Sequence, residues 1–256
     1  MERKNFLKSF VIAAAAGPML IDACKKESVT TASASSTTSA TTSSTTTDAT
    51  STASGCITTP TEEEGPYPYV GGEITNPLNR SNVVETQTGV ALALNFVVVN
   101  TNDSCNVVEN VRVDIWSCNP DGYYSGYADQ AGGVSGVSNS YTGATWLRGY
   151  QLSDASGVVK FSTIYPGWYS GRATHVHIEV YINSILKKTG QLAFSEAISN
   201  VVHVSARYAA HGINTTTNAA DHVFGDSATD LANETLALTG SVAAGYSASY
   251  TIGLAL

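Results

Sequence analysis

Between positions 174 and 181 the residues alternate. Val176, Ile178 and Val180 fall on one face, and His175, His177, Glu179 and Tyr181 on the other. Successive side chains of a strand point to opposite sides, so this period of two predicts a strand over 175–182 with its apolar face toward a core. The same pattern predicts a β-branched, apolar strand over 89–100 and a second over 111–117, with Val111, Val113 and Ile115 facing inward. Further strands are expected at 150–152, 158–164 and 189–194, the first two joined by a hairpin turn at Asp154-Ala155-Ser156-Gly157. Residues 197–256 read as short strands and polar loops ending in a strand over 250–254. Short strands with turn signals about every eight to twelve residues predict an all-β fold, a single β-sandwich with long loops.

Two turns lead directly into tyrosines. Asn119-Pro120-Asp121-Gly122 delivers Tyr123, Tyr124 and Tyr127, and Pro166-Gly167 swings Tyr169 out of the preceding strand. The Gly- and Ser-rich loop 125–145 is long for a compact domain, as functional or mobile loops are.

The ends of the chain differ in kind. Residues 1–23 read as an export signal, with Arg3, Lys4 and Lys8 before an apolar run over 10–21 too short to span a membrane. The basic stretch resembles a twin-arginine motif with Lys4 in place of its second arginine. Ile21-Asp22-Ala23-Cys24 resembles a lipoprotein cleavage box. Cys24 would then carry a lipid anchor, and the protein would face the periplasm or exterior; plain secretion is the alternative. Residues 24–55, nearly all Ser, Thr and Ala from 28 onward, form a flexible tether that cannot bury a core. The folded domain is expected at 56–256.

Composition narrows the partners. A net charge of −8, with no basic cluster beyond the first residues and the Lys187-Lys188 pair, argues against a nucleic-acid partner. Cys56, Cys105 and Cys118 lie in the exported part, where disulfides persist. Cys56 is expected to pair with one of the other two, and no CxxC spacing supports thiolate ligation of a metal.

Tyr124, Tyr169, His175 and His177 make a coherent donor set. Two imidazoles at i and i+2 project side by side from a strand and can grip one ion. Phenolate is a hard anionic donor, and with imidazole it suits ferric iron, whereas zinc or copper more often uses a third His, a Cys or a carboxylate. Taken singly, each residue has an ordinary reading. Either tyrosine could be a packing residue, and Arg172 could form only a surface ion pair with Glu179 or another acid. His203, His211 and His222 read as surface histidines, and Trp116, Trp146 and Trp168 as core or pocket wall.

The residues resemble one family, the intradiol ring-cleavage dioxygenases, which include catechol and protocatechuate dioxygenases. Asp114-Ile-Trp116-Ser-Cys118-Asn119-Pro-Asp-Gly122-Tyr-Tyr124 is similar to the family segment D-x-W-x-A-N-x-x-G-x-Y, which ends on its first tyrosine ligand. Thr163-Ile164-Tyr-Pro166-Gly167-Trp-Tyr169 and Arg172-Ala-Thr-His175-Val-His177 are similar to T-I-x-P-G-x-Y and R-P-A-H-I-H. Thr61-Glu-Glu-Glu-Gly65-Pro66-Tyr67 resembles the family's T-x-G-P-[FY] segment with an insertion. The departures are Ser117, Cys118 and Ala173-Thr174. An exported tether also stands where the family has a helical dimerisation segment, so no oligomeric state carries over. The resemblance implies Fe(III) held by Tyr124, Tyr169, His175 and His177, with Arg172, Tyr169 and Gln191 as catalytic residues. It implies a catechol substrate cleaved with O2 between its hydroxylated carbons, giving a muconate-type dicarboxylate. The competing functions are a non-catalytic exported β-sandwich binding module and a zinc or copper protein built on the HxH pair.

Overall fold

A computed structural model describes residues 56–69 and 78–256. The expected export signal, Cys24 and the tether up to residue 55 lie outside the described residues.

Among the described residues, nine strands form two sheets: β1 (Ala91–Asn100), β2 (Asn106–Val107), β3 (Arg112–Trp116), β4 (Arg148–Leu152), β5 (Val158–Ile164), β6 (His175–Ile182), β7 (Ile185–Ala193), β8 (Ala237–Ser241) and β9 (Gly245–Leu254). One sheet runs β2-β1-β9-β8, with β5 also paired to β1. The other runs β4-β3-β6-β7, antiparallel throughout. Strand β1 is parallel to β9, with Leu92 opposite Tyr246 and Asn100 opposite Leu254. The expected β-sandwich is therefore the fold.

The core forms where the period-two patterns meet. Leu92, Leu94, Phe96 and Val98 of β1 bury together with Phe161 of β5 and Ile252 of β9. From the second sheet come Val113, Ile115, Val176, Ile178, Val180 and Leu192. The β6–β7 turn is Asn183-Ser184, both at positive φ (50° and 62°), the geometry that matches the twist of a tight two-residue hairpin. That turn starts β7 at Ile185, four residues before the expected boundary.

Period two identifies which side of β6 is apolar, but the other side is not left to water. Every residue of β6 from His175 to Val180 is buried, and so are Asp114 and Trp116 on β3. The leading segment roofs this face. Glu62 donates its backbone N–H to Thr189 O at 3.0 Å, and Gln191 Nε2 donates to Glu63 O at 2.8 Å. The chemistry-bearing face of β6 is thus an interior between the sheet and its loops.

The C-terminal stretch corrects the expectation of strands and loops alone. It carries α1 (Glu196–His203) and α2 (Ala228–Glu234) before β8 and β9. In α1, Ser199, Val202 and His203 share the buried side, a period of 3.6 that the eight-residue length makes faint. Ser227 caps α2, accepting from Asp230 N at 3.2 Å, an S-x-x-D signature that the sequence carries. Cys56 pairs with Cys105, Cα atoms 5.7 Å apart, which ties the leading segment to the β1–β2 corner; Cys118 is free and buried.

Candidate metal centre

The two tyrosine-bearing turns are built against each other through glycines. A Cβ on Gly167 would lie 2.5 Å from Asn119 O and 2.7 Å from Pro120 O. Reciprocally, Gly122 has φ +85°, and a Cβ there would lie 2.2 Å from Trp168 O. Only glycine permits backbones this close. Asn119 Oδ1 accepts from Asp121 N (3.1 Å) and Tyr123 N (3.0 Å), closing the first turn as an Asx turn does. Buried Gln130 then clamps the chain at Tyr124, accepting from its N–H and donating to its carbonyl, both at 2.7 Å.

Three donor atoms converge. Tyr124 Oη lies 3.3 Å from His175 Nε2 and 3.0 Å from His177 Nε2, and the two Nε2 atoms are 3.0 Å apart. Donors held about 2.1 Å from one ion at right angles would be separated by about 3.0 Å, so this triangle has the dimensions of one face of a metal site. Tyr169 closes it as a fourth wall, its ring edge-on to both Tyr124 and His175 with centroids 5.8 Å away. Its hydroxyl accepts from Arg172 Nη1 at 3.2 Å.

The proton arrangement also fits an ion. His175 Nδ1–H donates to Ala173 O at 2.6 Å, which leaves the Nε2 lone pair facing the cluster. His177 stacks on the Trp116 indole at 4.7 Å and 4°, and its buried Nδ1 has no hydrogen-bond partner. Burial depresses both imidazoles, reinforced by the nearby Arg172 cation, so both stay neutral and able to donate a lone pair. Burial also pushes the phenols up, Tyr124 well above its ordinary value and Tyr169 to about 12. A cation between them would reverse that penalty by pairing with the phenolate. No group of three or more His, Cys, Asp or Glu that could hold a metal occurs among the described residues. The donor set is phenol plus imidazole, which fits iron.

Arg172 sits beside this cluster, almost wholly buried at 3% exposure. Its partners correct the surface-pair reading with Glu179. Nε donates to Asp221 Oδ2 at 2.9 Å, Nη1 to Tyr169 Oη, and Nη2 to Gln191 Oε1 at 2.5 Å. Glu179 accepts instead from the Tyr181 hydroxyl at 2.6 Å. Gln191, opposite His177 in the β6–β7 register, is fully buried.

His203 also departs from expectation. It is fully buried on α1, its Nε2 3.3 Å from Pro166 O, because the helix turns it under the Tyr165 and Tyr208 rings. His211 stacks on Trp168 at 3.7 Å, whereas His222 is exposed and meets Glu63 at 3.2 Å.

Three residues of the site have no role assigned from the sequence. Tyr67 lays its ring 4.9 Å from Tyr124 and 6.2 Å from Tyr169, covering the cluster. Arg148 is fully buried 5.7 Å from the Tyr124 ring and donates to Pro68 O, Tyr67 O and Ser125 O. Asp221 is the third. Only Tyr67 has a local signal, its Gly-Pro-Tyr segment.

The sequence matches no known family profile and no curated protein. Solved structures do match. An intradiol ring-cleavage dioxygenase from Tetranychus urticae is 26% identical with a TM-score of 0.68, over 78% of this chain and 95% of that one. The dioxygenase domain of a dioxygenase–carbohydrate-binding protein fusion from Streptomyces sp. SirexAA-E shares the fold at 21% identity and TM-score 0.52, over 77% and 98% of the two chains. A 3-chlorocatechol 1,2-dioxygenase from Rhodococcus opacus 1CP shares it at 17% identity and 0.51, over 77% and 72%. The fold is thus similar to that of intradiol ring-cleavage dioxygenases, the family that the ordered motifs of this chain resemble.

Proposed function

We propose that the domain holds one ferric ion through Tyr124, Tyr169, His175 and His177 and opens a catechol between its two hydroxylated carbons with O2, releasing a muconate-type dicarboxylate. The observation that carries this is the triangle of Tyr124 Oη and the two Nε2 atoms, edges 3.0 to 3.3 Å, walled by a second phenol. Iron in this site would supply Lewis-acid chemistry that activates a catechol toward O2.

The chain's own groups do the rest. Two neutral imidazoles and the oxygens of Tyr124 and Tyr169 would hold the ion. The Tyr169 oxygen, next to the Arg172 guanidinium, is the group placed to take up a substrate proton. Arg172 presents a buried, fixed positive charge toward the site. Preorganised charge of this kind stabilises negative charge developing on a substrate without reorganisation. Gln191 is hydrogen-bonded at both ends, to Arg172 Nη2 and Glu63 O, and so is held rigidly beside Arg172. Tyr67 supplies a flat apolar surface suited to an aromatic ring.

An export signal and a Cys24 lipid anchor would place the domain outside the cytoplasm. The Cys56–Cys105 disulfide supports an oxidising setting of that kind.

The test uses purified domain 56–256, analysed for iron and visible absorption and then supplied with simple, hydroxylated and carboxylated catechols. The expected result is about one iron per chain by the count of a single four-donor site, a red-brown tyrosinate band, and O2 uptake with a muconate product. A colourless protein that refuses iron, or one that takes up no O2 with any catechol, would overturn the proposal.

A further inference from the structure

The geometry points to Asp221 as the positioning residue that makes Arg172 competent, by fixing the plane and direction of its guanidinium. The inference rests on the ring-cleaving function proposed above and adds a residue to its machinery.

Asp221 stands 49 positions after Arg172, on the loop before α2, and its side chain is fully buried. Each of its oxygens is committed. Oδ2 accepts from Arg172 Nε at 2.9 Å and from the neighbouring Ala173 N at 2.6 Å. Oδ1 accepts from Val223 N at 2.8 Å and Phe224 N at 3.3 Å. Four donors hold the carboxylate in one orientation, and the Arg172 cation beside it keeps it ionised.

A guanidinium is a planar fork, so anchoring Nε sets the aim of the other two nitrogens. With Nε on Asp221, Nη1 reaches Tyr169 Oη at 3.2 Å and Nη2 reaches Gln191 Oε1 at 2.5 Å. Without the anchor, the arginine would be a buried cation held only through its Nη atoms, with its Nε left without a partner. The same carboxylate pins the backbone at Ala173, two residues before His175, so one acid holds both the arginine and the start of the ligand strand. His222, next in sequence, faces Glu63 at 3.2 Å, which latches this loop to the segment that carries Tyr67.

The experiment combines a double-mutant cycle with a measurement on metal-free protein. Iron-loaded wild type, Asp221→Asn, Arg172→Ala and the double variant are assayed for catechol opening. Asn keeps the size of the side chain but loses the charge and one acceptor. Asp221→Asn is expected to lower kcat about 10- to 100-fold, the scale of a misplaced catalytic group. Its iron content and visible band should stay those of wild type. The double variant is expected to be no slower than Arg172→Ala alone, since coupled residues are non-additive. Losses that multiply, or a wild-type kcat in Asp221→Asn, would overturn the assignment. In the metal-free wild type, arginine-selective 15N NMR should show a resolved, slowly exchanging Arg172 Nε–H; a fast-exchanging, freely rotating guanidinium would overturn it even if Asp221→Asn fails to fold. A wild type that opens no catechol would strike down the function, while the NMR arm still decides the pairing.

Discussion

Tyr124 Oη lies 3.0 Å from Nε2 of His177, although 53 positions of chain separate them. The contact joins a turn-borne phenol to a strand-borne imidazole inside the covered face of β6. It binds the two halves of the donor set, each legible on its own, into one site.

Removing either end of that contact should empty the site. His177→Ala and Tyr124→Phe are each expected to lose most of the bound iron and the visible band while remaining folded by circular dichroism. Retention of full iron by either variant, measured by metal analysis, would remove that residue from the ligand set.

Arg172 should behave differently. Arg172→Ala is expected to keep its iron and colour and to lower kcat about 100- to 1,000-fold, the range seen on removing one preorganised donor. Stopped-flow comparison with wild type on the best catechol decides it. Equal rates would deny the arginine its electrostatic role.

The glycine contact between the two turns predicts a stability loss with a functional consequence. Gly167→Ala meets only backbone atoms of Asn119 and Pro120, which cannot move aside. It should cost about 1–3 kcal/mol as an overpacked site does, and lower iron content by parting Tyr124 from Tyr169. Gly136→Ala is the control. Its φ is +86° with nothing within 4 Å, so it should cost only about 1–2 kcal/mol of backbone strain and leave iron unchanged. Urea denaturation and metal analysis of the two variants, side by side, check the contrast.

A pH dependence of stability arises from Glu234. Burial first, then Glu62 facing it and Asp230 and Asp226 nearby, push its carboxyl up to about 9, with Lys188 the opposing cation. The native state therefore keeps a proton that the unfolded chain releases near about pH 4.3. Its contribution to stability falls as pH climbs from that value toward about 9. Glu234→Gln should gain on wild type progressively across this range. Urea midpoints at pH 5 and pH 8 measure it, and a difference between the two proteins that does not grow with pH counts against the account.

The disulfide should matter for stability rather than chemistry. Replacing both Cys56 and Cys105 by Ser is expected to cost about 2–4 kcal/mol by freeing a long loop in the unfolded chain. Cys118 should resist thiol reagents in the native protein, because burial pushes its thiol up to about 12. Labelling of Cys118 as fast as in urea would contradict its buried position.

Much of the architecture is legible because it is written locally. Alternation in 91–100 and 175–182 marks the strands and their inward residues, and two turn signals mark where Tyr124 and Tyr169 leave the backbone. The helices are harder to see, since α1 spans barely two turns and carries β-branched residues at Ile198, Val201 and Val202. His203 shares their fate, because only the helix's rotation buries it.

By itself, then, the sequence determined the sandwich and the order of its tyrosine and histidine motifs, since period and turn chemistry act over a few residues. What covers the polar face of β6 was decided only by the folded chain. So was the choice of Asp221 over Glu179 as the partner of Arg172, and the burial of Arg148 behind Tyr124. Those contacts join residues dozens of positions apart, and no local period encodes which buried acid or carbonyl a distant cation will meet once the loops close.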